Sequence, residues 1–147
     1  MELTLAQARK IDVISDTILY PEAAALVKQL LEEEECDPLP SSQINGLLSV
    51  AGTNTYAELY TFVLHQRDRN WTASKMDIKK FYTVLEKYLS DMTRQRVKAE
   101  FQLIPEGLDT KQTKQMTEIV MATLAQDFIQ HFVAENNRRA AYVSRRR

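Results

Sequence analysis

The stretch MDIKKFYTVLEKYL, residues 76–89, decides the fold. Its apolar residues Ile78, Phe81, Tyr82, Leu85 and Tyr88 (or Leu89) recur at spacings of three and four. That spacing lines one face of an α-helix, whereas a half-buried strand alternates with period two. The helix is expected to begin near Thr72 or Ser74 and to run to about Leu103, taking in Met92 and Phe101. Pro105 and Gly107 then end it.

The same pattern extends in both directions. Upstream, Leu5, Ala8, Ile11, Ile14 (or Ser15), Ile18 and Leu19 predict a first helix over about 3–19. Pro21 suits the start of a second, whose stripe is Ala23, Leu26, Val27, Leu30 and Leu31. Four acids, Glu32 to Glu35, oppose the dipole at that helix's C-terminus, so fraying is expected there. CDPLPSS, residues 36–42, is the clearest break, with Ser41 or Ser42 able to cap a short third helix. Thr55 and Glu58 match a capping box that opens a fourth, with Tyr56, Leu59, Tyr60, Val63 and Leu64 on one side. Downstream, Asp109 or Thr110 opens a sixth, through Met116, Ile119, Val120, Leu124, Phe128, Phe132 and Val133. The chain has only 3 Gly and 4 Pro, too few for the turns of a sandwich or barrel. The expectation is an all-α, compact bundle of five to six helices: one domain over 1–135 and a frayed, basic tail over 136–147.

Composition narrows function. At 147 residues with 44% hydrophobic and 27% charged side chains, the chain can bury a core. No apolar run is long enough to span a membrane. MELTLAQARK lacks the basic-then-apolar order of a secretory signal, and Cys36 is the single cysteine, so a cytoplasmic location is expected. Acidic neighbours would raise the Cys36 thiol, which reads as an incidental thiol rather than a nucleophile.

No catalytic or cofactor motif is found. His65 and His131 have no ligand-spaced Cys or His, and Asp127 with His131 reads as a hydrogen-bonded surface pair rather than a metal site. No nucleophile elbow or phosphate-cradling Gly loop occurs. The expectation is a non-enzyme with no metal and no cofactor.

The net charge of −1 conceals a split: residues 1–40 sum to −6 and the remainder to +5. Bases cluster in three places. Arg67, Arg69, Lys75, Lys79 and Lys80 surround Trp71. Arg94, Arg96 and Lys98 follow, and Arg138, Arg139, Arg145, Arg146 and Arg147 come last. Bases interleaved with an aromatic suit a nucleic-acid backbone, with cations on phosphates and a ring on an exposed base. The plainer readings are a charged surface, helix-end bases favouring the dipole, and a tryptophan used for packing. Arg67, Arg69, Trp71, Lys75, Lys79, Lys80, Arg94 and Arg96 are the candidate nucleic-acid contacts.

LPSSQINGLLSVAG (39–52), with Ser42, Gln43 and Ile44 opening a helix, and KKFYTVLEKYL (79–89) together resemble the small helical subunit of type III CRISPR effector complexes. The resemblance covers about residues 10–100. It implies a non-catalytic structural subunit of a ribonucleoprotein that lines a guide–target RNA duplex beside companion subunits and stacks head to tail. The charge split suits such stacking, with an acidic end at 32–37 meeting a basic end of the next copy. The chain is nearer neutral than that family, and its sixth helix and arginine tail extend beyond the matching region. The alternative is a helical protein–protein interaction module, an adaptor or regulator without nucleic acid, which requires an exposed apolar groove.

Overall fold

The computed structural model describes residues 1–92 and 96–146, the last four by backbone alone. The fold is all-α, with six α-helices: α1 Leu5–Ile14, α2 Tyr20–Lys28, α3 Ser41–Thr53, α4 Tyr56–Asp68, α5 Met76–Asp91 and α6 Thr110–Arg146. Among the described residues no helix is long and apolar enough to cross a membrane.

The first two helices join without a loop. A π turn over Ser15–Leu19 links them, with the Tyr20 N–H donating to the Ser15 carbonyl. Pro21 accounts for the widening. It has no N–H to donate, and its ring would collide with a carbonyl one turn back in a regular α-helix. The wider turn makes room while Leu19 and Ala23 stay fully buried.

The acidic run ends in a closed turn. A second π turn, Gln29–Glu33, is closed by bonds from Glu34 N–H to the Gln29 carbonyl and from Cys36 N–H to the Leu30 carbonyl. Glu35 takes a left-handed conformation between them, with φ 54°. The same closure recurs at the π turn Arg96–Glu100. There Phe101 N–H bonds to the Arg96 carbonyl, Leu103 N–H to the Val97 carbonyl, and Gln102 has φ 52°.

Three expected boundaries move. The helix through residues 76–89 ends at Asp91, not near Leu103. Phe101, Leu103 and Ile104 are buried, and the reversal at Gln102 returns them to the core. Pro40, not a serine, occupies the N-cap of α3, so Ser41 is its first residue. The last helix continues to Arg146 instead of ending near 135. Asn136 is 1% exposed; its Oδ1 accepts the Leu39 N–H at 2.9 Å and its Nδ2 donates to the Leu39 carbonyl at 3.2 Å. It thus satisfies the backbone of the proline-rich break from within the core.

Side-chain caps form at Thr55, by the forward half of the expected capping box, and at Asp109. Thr55 Oγ1 accepts the Glu58 N–H, and Asp109 Oδ1 accepts the Gln112 N–H at 2.7 Å.

The α6 helix runs parallel to α1 and α2, as Gln7–Met116, Ser15–His131 and Glu32–Arg139 contacts show. The α4–α5 pair is antiparallel, with Tyr60 meeting Glu86 and Arg67 meeting Lys79. Between them lies one core. Tyr88 and Phe128 stack at 3.5 Å, and Phe132 meets Phe81 edge-on at 6.0 Å. Such ring pairs add about 0.5–1.5 kcal/mol each beyond their burial.

Candidate nucleic-acid interface

The polar stretch after α4 turns the chain back into α5, and this corner gathers part of the basic set. Lys79 Nζ donates to the Arg67 carbonyl at 2.8 Å, placing its charge on the exposed carbonyl end of α4. The indole Nε1–H of Trp71 donates to the Gln66 carbonyl at 2.6 Å, while one side of the residue packs against the core. The Arg69 guanidinium lies 4.6 Å from the centre of that ring, and its Nη1 donates to Gln66 Oε1 at 3.1 Å. Lys75 is exposed in a 3-10 turn, Ala73–Lys75, and serves as the N-cap residue of α5. It therefore stands ahead of the helix that carries Lys79.

Arg67 shares the corner but is committed elsewhere. Its Nε is 2.9 Å from Asp68 Oδ1 and its Nη1 is 3.2 Å from Glu86 Oε2. The Asp68 carboxylate holds Arg67 above its ordinary pKa, and Arg67 holds Asp68 below its own. Lys80 is exposed on the adjoining side, in a depression of about 250 Å³ shared with Glu34, Met76 and Thr83.

The remaining candidates lie apart. Arg96 is bound to Glu22 at 2.6 Å and to Glu100 at 3.1 Å, and it lies over the Tyr88 and Phe101 rings. Its side chain is only 14% exposed, so it functions as an internal clamp. Arg94 lies outside the described residues, as do the side chains of Arg145, Arg146 and Arg147. Arg138 and Arg139 both reach Glu135, and Arg139 also reaches Glu32. Among the described residues, the bases after residue 65 thus form one local corner and several internal ion pairs, not one continuous strip.

The acidic run adjoins the corner. The Asp37 N–H donates to Asp77 Oδ2 at 2.9 Å at the start of α5, and Glu34 faces the same depression as Lys80. The two signs therefore lie side by side instead of at opposite ends.

Gln66 is the residue that sequence reasoning missed. It holds both Arg69 and Trp71, one by its side chain and one by its carbonyl. Nothing in its type or spacing signals this, because the role depends on where α4 stops.

His131 and Asp127 are joined through a third residue. Ser15 Oγ lies 2.8 Å from His131 Nε2 and also hydrogen-bonds Asp127. Ser15 as a whole is 7% exposed. This cluster joins α6 to the first π turn. Among the described residues, no group of three or more His, Cys, Asp or Glu could hold a metal ion. Set against known proteins, the chain matches no family model, no curated protein and no solved structure.

Proposed function

We propose that this chain is a non-catalytic, RNA-binding structural subunit of a multisubunit ribonucleoprotein effector complex of the CRISPR type. One observation carries the reading: Arg69 lies over Trp71 at the α4–α5 corner, Lys75 follows in the next turn and Lys79 reaches the end of α4, and none of the three makes a salt bridge among the described residues. Elsewhere the arginines with described side chains mostly sit in carboxylate pairs, whereas Arg69 is held by a neutral amide oxygen. Exposed cations such as Arg69 and Lys75 suit phosphates. The two segments of the resemblance also meet, since Tyr82 Oη donates to Gln43 Oε1 at 2.9 Å.

A direct test is the binding of labelled single-stranded RNA to the purified protein over roughly 50–200 mM salt, where each phosphate contact contributes a slope of about −0.7 in log K against log salt. A slope equivalent to two or three contacts is expected. Absent binding, or affinity that does not change with salt, overturns the reading.

A second reading, a protein-binding module without RNA, rests on a groove of about 680 Å³ lined by Met1, Gln115, Ile119 and Met121. Leu5 and Val13 are also exposed on α1, at 67% and 60%. Under that reading the salt titration with RNA finds no binding.

A further inference from the structure

Resting on the RNA-binding reading, we propose that Arg69 and Trp71 form a built platform on which one unpaired base of a single-stranded RNA stacks, with Lys75 and Lys79 on the flanking phosphates. The pair is organised before any ligand arrives. Trp71 is fixed at Nε1 by the Gln66 carbonyl, and its own N–H donates to the Arg69 carbonyl at 2.9 Å. Arg69 is held over the ring by Gln66 Oε1, a neutral acceptor that leaves the guanidinium charge uncompensated.

The carboxylate nearest in sequence is occupied: Arg67 takes both oxygens of Asp68, at 2.9 and 3.2 Å. Arg69 is exposed, so its guanidinium can be reached from solvent. A planar cation stacked on an indole can extend the stack to a base by π and cation–π contact. An A-form duplex cannot supply that base, because its faces are already stacked and only edges and backbone are displayed. The ligand class is therefore unpaired RNA, in contrast to the duplex that the family resemblance implies.

Trp71 is the only tryptophan in the chain, so its fluorescence reports this site alone. The protein is titrated with a short oligouridine RNA, with a blunt RNA duplex of equal length, and with inorganic polyphosphate. The single strand is expected to quench Trp71, and the other two to bind without quenching. Arg69→Lys keeps the charge and loses the plane. It is expected to weaken single-strand binding about tenfold, within the range for losing one stacked base, and to leave duplex binding unchanged. Equal quenching by duplex and single strand, or an Arg69→Lys affinity equal to the parent, overturns the platform. Salt-sensitive RNA binding with a silent Trp71 removes the platform and leaves the RNA-binding reading standing. No binding of either RNA removes both.

Discussion

Asp127 and Glu135 stand about two turns apart on α6, yet acid affects them in opposite directions. Burial raises the Asp127 carboxyl, and the Ser15 hydrogen bond and His131 only partly counter it, while Asp12 and Asp16 add to the rise. Glu135 is 3% exposed, and the Arg138 and Arg139 guanidiniums hold it below the usual carboxylate range. The linkage follows from these signs. A raised carboxyl makes the folded state bind protons more readily than the unfolded chain. Its cost is present at neutral pH and disappears as pH falls through the folded value towards the ordinary one. A depressed carboxyl contributes stability above its ordinary value, and that stability is lost as pH falls through the folded value. In thermal unfolding followed from neutral to acid pH, Asp127→Asn is expected to melt above the parent at neutrality, and Glu135→Gln below it. Both differences should shrink as pH is lowered past the carboxylate range. An Asp127→Asn protein that melts below the parent at neutrality would show the Ser15 bond to outweigh the desolvation.

At the scale of elements, the helices were legible because each carries an apolar stripe, and Phe81, Tyr82, Leu85 and Leu89 are all buried as their spacing requires. The helix ends were not. Glu35 and Gln102 adopt left-handed backbone, a role normally signalled by Gly or Asn. The acidic run reads as a frayed end because nothing in it marks the two bonds that close the turn. Of the candidate site, the corner around Trp71 was legible from bases interleaved with an aromatic. The internal pairing of Arg67 and Arg96 was not, since Glu86 and Glu22 come from distant positions. Non-glycine residues in left-handed backbone are strained by about 1 kcal/mol. Glu35→Gly and Gln102→Gly should therefore each stabilise the protein by about 0.5–1 kcal/mol, read as a melting rise of about 2–4 °C. Gly107 has φ 84° with open space around it, so Gly107→Ala should cost about 1 kcal/mol through conformation alone. No change in melting temperature for either glycine variant would mean those turns relax at no cost.

For the molecule as a whole, net charge says less than which charges are already neutralised. With Glu34 beside Lys80, attraction between an acidic end and a distant basic end gives no support to head-to-tail stacking. What distinguishes the arginines and lysines is their partners. Arg96 contacts two carboxylates and two rings, whereas Lys75 extends from the corner without an ion pair among the described residues. Removing each should therefore affect a different property. Lys75→Ala is expected to leave the melting temperature within about 0.5 kcal/mol of the parent, as surface substitutions do. It should weaken RNA binding and reduce the salt slope by about one contact. Arg96→Ala leaves Glu22 and the Tyr88 and Phe101 rings without their shared cation. A loss of about 1–3 kcal/mol is expected, the range for removing one partner of a partly buried charged hydrogen bond. At temperatures where that variant stays folded, its RNA affinity and salt slope should equal those of the parent. Both variants are read by the same two measurements, chemical denaturation and RNA anisotropy against salt. If Arg96→Ala loses RNA affinity while Lys75→Ala keeps it, the nucleic-acid surface lies on the α5–π-turn side of the bundle and the corner at Trp71 is only a charged turn.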